Sequence, residues 1–95
     1  MKNDLEDGWQ SFLRICKEVK NLDQLDELLN FFLTIEEKQN LATRYLLIQG
    51  LLKGKKTQRE LSKELRVSIA KITRGSNALK IISDPLRGFL ERKMT

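Results

Sequence analysis

Hydrophobic residues recur every three or four positions along the chain, which is the spacing of helices that bury one face. The first stripe runs from Leu5 to Val19, the second from Leu22 to Leu33 and the third from Leu41 to Leu52. No stretch alternates hydrophobic and polar residues over a strand's length. The pattern predicts an all-α chain, and the signals at the helix ends divide it into six helices.

Several of these signals are specific. The segments Thr34–Glu37 and Thr57–Glu60 are capping boxes, which predict the starts of the third and fourth helices. Gly54 is expected to end the third helix, because glycine readily takes the left-handed conformation found there. For the sixth helix we expect Asp84 as the cap and Pro85 in the first helical position.

Residues 58–79 match a helix-turn-helix. The first short helix ends at a turn over Arg66-Val67, and Ser68 is placed to cap a second helix over about residues 69–79. Four hydrophobic residues fall where two crossed helices pack, namely Leu61, Leu65, Val67 and Ile72. The alternative is a helical hairpin in an ordinary bundle.

Charge favours a nucleic-acid partner. The 95 residues carry a net charge of +5, but residues 1–37 have a balance of −5 and residues 38–80 a balance of +9. Such a basic block is typical of proteins that bind a polyanion, and the alternative is a solvated surface. The predicted DNA-contacting residues are Thr57, Gln58, Arg59, Ile69, Ala70, Lys71, Thr73, Arg74, Ser76, Asn77 and Lys80.

Among these residues, Ile69 and Ala70 suit thymine methyl groups, Thr73 suits a base edge and Arg59 suits guanine. Phosphate contacts are assigned to Thr57, Ser76, Asn77 and Lys80.

Composition argues against an enzyme. The chain has no His and one Cys, so Ser–His, Cys–His and His-zinc chemistries, a metal site and an internal disulfide are not expected. Glu36 and Glu37 form an adjacent carboxylate pair, but they belong to a capping box. No apolar run suits a signal peptide or a membrane span, so we expect a cytoplasmic protein without a membrane partner.

A chain of this length buries too little surface to be very stable alone. Four of its six aromatic residues, Trp9, Phe12, Phe31 and Phe32, lie on the first two stripes. We therefore expect these stripes to form a homodimer interface; the alternative is a monomeric core.

Gly75 is the unusual residue of the second helix, since glycine inside a helix costs about 1 kcal/mol relative to alanine. It is either a neutral surface residue or a position where a flat ligand lies against the backbone.

The run Thr73-Arg74-Gly75-Ser76-Asn77-Ala78-Leu79-Lys80, with Gln58-Arg59-Glu60-Leu61 and Leu41-Ala42-Thr43-Arg44 upstream, resembles the bacterial tryptophan repressor family. The resemblance extends from about Trp9 to Leu90. It implies an intertwined homodimer that takes L-tryptophan as corepressor, with no other cofactor, and binds a palindromic double-stranded operator. On this basis residues 1–95 form one domain, with residues 1–53 and 84–95 as dimer core helices and residues 57–80 as the helix-turn-helix.

The resemblance also implies a ligand site. Arg44 and Arg74 would flank the indole, Arg74 would reach the carboxylate, and Gly75 would lie beside the ring. Backbone carbonyls of Phe31, Leu33 and Thr34 from the partner chain would receive the ammonium group.

This sequence departs from the family pattern at four positions. Ala78 replaces a serine that contacts the ligand amino group. Lys71 replaces a threonine and suits either a phosphate or the ligand carboxylate. Arg66 and Ser68 replace the turn glycines.

Two other functions compete with a tryptophan-responsive repressor of tryptophan biosynthesis or uptake genes. One is a ligand-independent DNA-binding module, such as a transposase-like helix-turn-helix. The other is a dimeric interaction protein whose basic face meets an acidic partner or RNA.

Overall fold

The computed structural model describes residues 4–95, and within them it consists of six α-helices without a strand. The helices are α1 (Asp4–Glu18), α2 (Leu22–Phe32), α3 (Ile35–Lys53), α4 (Gln58–Leu65), α5 (Ile69–Ile81) and α6 (Asp84–Met94). The prediction of an all-α chain with six helices is confirmed. The fifth helix continues two residues beyond its predicted end.

The chain divides into two compact units, Met1–Lys38 and Gln39–Thr95, and the division falls inside α3. The prediction that all 95 residues serve one domain stays a prediction.

In the first unit, aromatic side chains connect α1 and α2. The rings of Phe12 and Phe32 meet edge to face with centroids 5.1 Å apart, and Trp9 and Phe31 extend this row on either side. Asn21 caps α2 by accepting a hydrogen bond from the Gln24 amide at 2.8 Å. No residue of α1 or α2, as far as the structure describes them, is buried.

In the second unit, the core lies where α4 and α5 pack on α3. Leu47, Leu61 and Ile72 are its buried members, one from each of these helices. Leu65 and Val67 pack against them, so the predicted hydrophobic contacts of the helix-turn-helix are confirmed. This core fixes the helix-turn-helix on α3.

Gly50 allows α4 to approach α3 closely. A Cβ atom built on Gly50 would lie 2.5 Å from Cδ2 of Leu61 and 3.3 Å from its Cδ1. Because Leu61 is only 3 % exposed, it has little room to move away. The contact requires glycine at this position of α3.

The start of α6 corrects two predictions, because the helix begins one residue earlier than expected and Pro85 is its second residue, not its first. Asp84 does not cap the helix but is its first residue; Ser83 is the cap, and its Oγ accepts a hydrogen bond from the Leu86 amide at 3.3 Å. A serine hydroxyl caps as well as a carboxylate does. Asp84 in the first turn still interacts favourably with the positive end of the helix dipole.

Two hydrogen bonds hold α6 to α3 and α5. Arg87 Nη1 donates to the Leu79 carbonyl of α5 at 2.8 Å, and Gln49 Nε2 of α3 donates to the Met94 carbonyl at 3.0 Å. Both carbonyls belong to the last turns of their helices, where the backbone lacks intrahelical partners.

We predict that Gly50→Ala destabilises the protein by about 1–2 kcal/mol, because overpacking against Leu61 outweighs the gain in helix propensity. Gly8→Ala is the matched control: Gly8 lies inside α1 with nothing within 4 Å of a built Cβ. This control should be neutral or stabilise the protein by up to about 1 kcal/mol. Urea denaturation at one protein concentration measures both, and equal effects of the two substitutions would contradict the close contact.

Candidate ligand cleft and helix-turn-helix

The turn between α4 and α5 is held by local hydrogen bonds. Arg66 caps α4 in the left-handed conformation (φ 57°, ψ 44°). The Val67 amide donates to the Ser62 carbonyl at 3.1 Å, and Ser62 Oγ donates to the Val67 carbonyl at 2.5 Å. Ser68 then caps α5 by accepting from the Lys71 amide at 3.2 Å. The predicted turn is confirmed, with an arginine in the conformation that glycine takes most easily.

The capping box of α4 is also formed as predicted. The Thr57 amide donates to Glu60 Oε1 at 2.8 Å, and Thr57 Oγ1 accepts from the Glu60 amide at 3.1 Å. Hydrogen bonds from the Thr57 backbone and side chain lower the pKa of the Glu60 carboxyl below its ordinary value, and the Lys56 ammonium lowers it further. The cap therefore strengthens the start of α4 at neutral pH and loses this contribution as pH falls through the lowered pKa.

The predicted DNA-contacting residues lie on the surface of α4 and α5. All are exposed except Ser76, which is half-buried. Because successive helix residues are about 100° apart, Ile69, Ala70, Thr73, Asn77 and Lys80 share an arc of about 100° on α5. The buried Ile72 and Gly75 lie on the opposite side. This helix thus presents one continuous face of polar, cationic and small apolar side chains.

One contact joins the two helices across this surface. Thr73 Oγ1 donates to Gln58 Oε1 at 3.2 Å. The hydroxyl group of Thr73, which was predicted to bond a base edge, therefore already donates its proton within the protein. The hydroxyl oxygen keeps its accepting capacity.

A cleft of about 550 Å³ lies in the second unit between α3 and the helix-turn-helix. This volume falls within the range of about 300–1,000 Å³ typical of small-molecule sites. Its lining combines apolar, polar and cationic side chains: Asn40, Leu41, Thr43, Arg44, Leu47, Leu65, Arg66, Val67, Lys71, Arg74 and Gly75. Arg44, Lys71, Arg74 and Gly75, four of the predicted ligand residues, are thus brought to one cavity from α3 and α5.

The structure gives Gly75 a role that neither sequence interpretation included. A Cβ built on this buried glycine would lie 2.5 Å from Leu47 Cδ2 and 3.5 Å from Leu51 Cδ1, so glycine is needed for α5 to pack against α3. The interpretation as a neutral surface residue is therefore wrong. Gly75 also lines the cleft, and its contact with a flat ligand stays a prediction.

Four predicted ligand residues do not line this cleft. Ala78 is exposed on α5. The other three lie in the first unit: Phe31 is 81 % exposed, Leu33 caps α2, and the Thr34 carbonyl accepts from the Lys38 amide at 3.0 Å. They were predicted to act from the partner chain, and that role stays a prediction.

Sequence reasoning missed Arg66 as a cleft residue and the six uncharged lining residues. Arg66 was interpreted as a turn residue alone, yet its place between Leu65 and Val67, which both face α3, puts its side chain at the cleft. The spacing of Asn40, Thr43 and Leu47 before and after Arg44 is a helical spacing that marks the same side of α3.

By its geometry this is a helix-turn-helix protein with a ligand-sized cleft between α3 and α5, the second helix of the motif. The family model described as Trp repressor protein matches residues 7–94. The chain belongs to the Trp repressor family, a family of transcription regulators and not of enzymes.

Individual relatives of this chain carry the name of the same family. A Trp operon repressor homolog of Chlamydia trachomatis serovar D is 44 % identical over 94 residues, which cover 99 % of this chain and 100 % of the relative. That of Chlamydia caviae is 43 % identical over 86 residues (90 % and 85 % coverage). That of Vibrio vulnificus is 42 % identical over 76 residues (80 % and 74 % coverage). Within residues 4–95, no helix has the length and apolarity needed to cross a membrane.

We predict that Arg66→Gly stabilises the protein by roughly 0.5–1 kcal/mol, because glycine takes the left-handed conformation without a Cβ penalty. The gain is smaller than the full penalty, since glycine also loses more conformational entropy on folding. Lys63→Gly, at an ordinary exposed position of α4, should instead destabilise it by about 1 kcal/mol. Urea denaturation of both variants tests the sign of each change. A loss of stability in Arg66→Gly equal to that in Lys63→Gly would show that position 66 is not strained.

Proposed function

We propose that this protein is a tryptophan-responsive transcriptional repressor that acts in the cytoplasm as a homodimer. L-Tryptophan is the corepressor, and the target is a palindromic double-stranded operator that controls tryptophan biosynthesis or uptake genes. The observation that carries the proposal is the convergence of Arg44 from α3 with Lys71, Arg74 and Gly75 from α5 in one cleft beside the helix-turn-helix.

The cleft suits an aromatic amino acid. Leu47 and Leu65 provide apolar surface for a ring, and Arg44 and Arg74 provide guanidinium groups that stack on an indole. Such a contact contributes about 0.5–2 kcal/mol, more where water is excluded. Arg74 or Lys71 receives the ligand carboxylate.

The ammonium group is assigned to backbone carbonyls of Phe31, Leu33 and Thr34 from the partner chain. With Ala78 in place of a hydroxyl side chain, one ligand contact is missing, which reduces affinity by about 0.5–1.5 kcal/mol.

DNA binding is assigned to the exposed face of α5 and the start of α4. Ile69, Ala70 and Thr73 lie near the N-terminal end of α5, the part of a recognition helix that reaches base edges. Arg59 reads guanine from the start of α4, beside the bonded pair of Gln58 and Thr73.

Phosphate contacts fall to Thr57, Ser76, Asn77 and Lys80, which position the dimer without reading sequence.

The ligand acts by population shift. Without tryptophan, the two recognition helices of the dimer lack a fixed spacing. With it, they are held about 34–36 Å apart, the distance of one turn of DNA. Because the ligand has more contacts in the DNA-competent state, it favours that state, and operator must raise tryptophan affinity by the same factor.

The exposed apolar surface of the first unit supports dimerisation. Leu5, Leu22, Phe31 and Ile35 are each more than 75 % exposed. A second copy of the chain, with the same stripes, offers the apolar surface that would cover them, as in obligate dimer interfaces.

The direct experiment measures binding to a palindromic operator by gel shift with and without L-tryptophan. We expect tryptophan to raise operator affinity, and the logarithm of affinity to fall with that of salt with a slope of about −5 if each dimer neutralises about six phosphates. Operator affinity that ignores tryptophan would instead support the ligand-independent module. A flat salt dependence would exclude DNA as the partner.

The stacking of Arg44 and Arg74 on the two sides of the indole, here called the arginine clamp, is tested by Arg44→Ala. We expect tryptophan affinity to fall about tenfold or more through loss of one stacked cation, so that the operator response disappears while weak nonspecific DNA binding persists. Lys38→Ala removes an exposed cation of the same helix that does not line the cleft, and should retain the response. Unchanged tryptophan affinity in Arg44→Ala, measured by calorimetry, would remove the clamp from the mechanism.

The dimer is tested by sedimentation equilibrium. We expect the mass of two 11.1 kDa chains for the unmodified protein. Leu22→Asp should shift the equilibrium toward monomer by placing a charge in the buried interface, whereas Ser11→Asp, which adds the same charge at an exposed polar position, should not. A single-chain mass for the unmodified protein at micromolar concentration would contradict the proposed assembly.

A further inference from the structure

The cleft between α3 and the helix-turn-helix carries more positive charge than one carboxylate requires. Four lining residues are cationic, Arg44, Arg66, Lys71 and Arg74, and none is acidic. They come from three places in the chain: α3, the turn after α4, and α5. Their convergence is a property of the fold and not of one basic segment.

No ion pair in the described part of the chain neutralises this charge. The ion pairs found within residues 4–95 join Lys56 to Glu64 and Arg87 to Glu91, and none of the four cleft cations takes part in them. All four side chains are exposed, so water and salt screen their mutual repulsion in part, and an anion that enters the cleft reduces it further.

The apolar lining restricts what this anion is. Leu41, Leu65 and Val67 line the same cavity; Leu41 is 54 % exposed, and Leu65 and Val67 are half-buried. A bare phosphate or a DNA backbone would leave this surface uncovered. A ligand with an aromatic body and anionic substituents covers the apolar part and meets the cations together.

We propose that the cleft binds aromatic dianions more tightly than aromatic monoanions, and that Arg66 and Lys71 form the site of the second negative charge. The inference rests on the proposed function, since it concerns the cleft assigned to tryptophan. With Arg44 on the ring, one of Arg74 and Lys71 is enough for the first carboxylate. We assign that carboxylate to Arg74, so Lys71 and Arg66 remain for a second negative charge. An aromatic dicarboxylate is thus a second class of effector that competes with L-tryptophan.

The test uses two probes that share an indole ring and an amide and differ by one carboxylate. Indole-3-acetylglycine carries one negative charge at neutral pH, and indole-3-acetylaspartate carries two. Calorimetry with the full chain should give about tenfold tighter binding of the aspartate conjugate at low salt, with the preference shrinking as salt screens the second charge. L-Tryptophan should displace both.

Two variants locate the second anion site. Arg66→Gly, which keeps the left-handed turn, and Lys71→Gln, which keeps the side-chain length, should each reduce the preference to about threefold, and the double variant should abolish it. Lys63→Gln is the matched control, because this exposed lysine of α4 lies outside the cleft. It should retain the tenfold preference.

The outcomes separate this inference from the proposed function. Equal affinity for the two probes, with tryptophan binding intact, overturns the inference and leaves the proposed function standing. Absence of binding by tryptophan and by both probes overturns the two together. If the double variant keeps the preference for the dianionic probe, Arg66 and Lys71 do not form the second anion site, and the inference is overturned. If the same variant also binds operator more weakly, the two side chains are assigned to DNA phosphate instead.

Discussion

The packing of α4 and α5 on α3 rests on two contacts in which a leucine faces a glycine. Gly50 of α3 receives Leu61 of α4, and Gly75 of α5 receives Leu47 of α3, with a built Cβ 2.5 Å from a leucine methyl in each case. The two contacts run in opposite directions between the helices. Each brings a helix backbone within reach of its neighbour's side chain, so the helix-turn-helix is held to α3 at both of its helices.

This packing also forms the cleft. Leu47 belongs both to the buried core and to the cleft lining, and its Cδ2 is the nearest side-chain atom to a Cβ built on Gly75. A change in the approach of α5 to α3 therefore changes the floor of the cavity and the positions of Arg44 and Arg74 relative to each other. Within the proposed function, this gives a ligand between these side chains a direct effect on the setting of α5, since close-packed interiors shift between discrete arrangements rather than deform continuously.

Features set by neighbouring residues were predictable from the sequence. The capping boxes at Thr34 and Thr57 form as expected, with the Thr34 amide donating to Glu37 Oε1 at 2.8 Å, and Gly54 ends α3 with a φ of 65°. Asp84 was misplaced because Ser83 beside it is an equally good cap, and local signals do not choose between adjacent candidates. The glycine contacts were missed for a different reason, since a glycine inside a helix does not reveal which distant side chain lies against it.

In the candidate site too, contacts between distant residues were not predictable from local signals, whereas positions along one helix were. Pairing Arg44 with Arg74 and Gly75 depended on a family resemblance, because the 29 residues between Arg44 and Arg74 leave the distance between the two side chains undetermined by the sequence. Once α3 and α5 are packed, the lining residues that α3 contributes, among them Asn40, Thr43 and Leu47, follow from helical spacing around Arg44.

The stability of the fold does not explain why position 66 is an arginine. Its backbone takes a left-handed conformation that costs a non-glycine residue about 1 kcal/mol, while the turn is already held by Ser62, Val67 and Ser68. The guanidinium forms no ion pair with any residue in the described part of the chain, so no intramolecular contact of that kind offsets the cost. Position 66 is therefore one where backbone and side chain have opposite preferences. Within the inference drawn above, the reason for an arginine there is the anion that its charge meets at the edge of the cleft, which Arg66 lines.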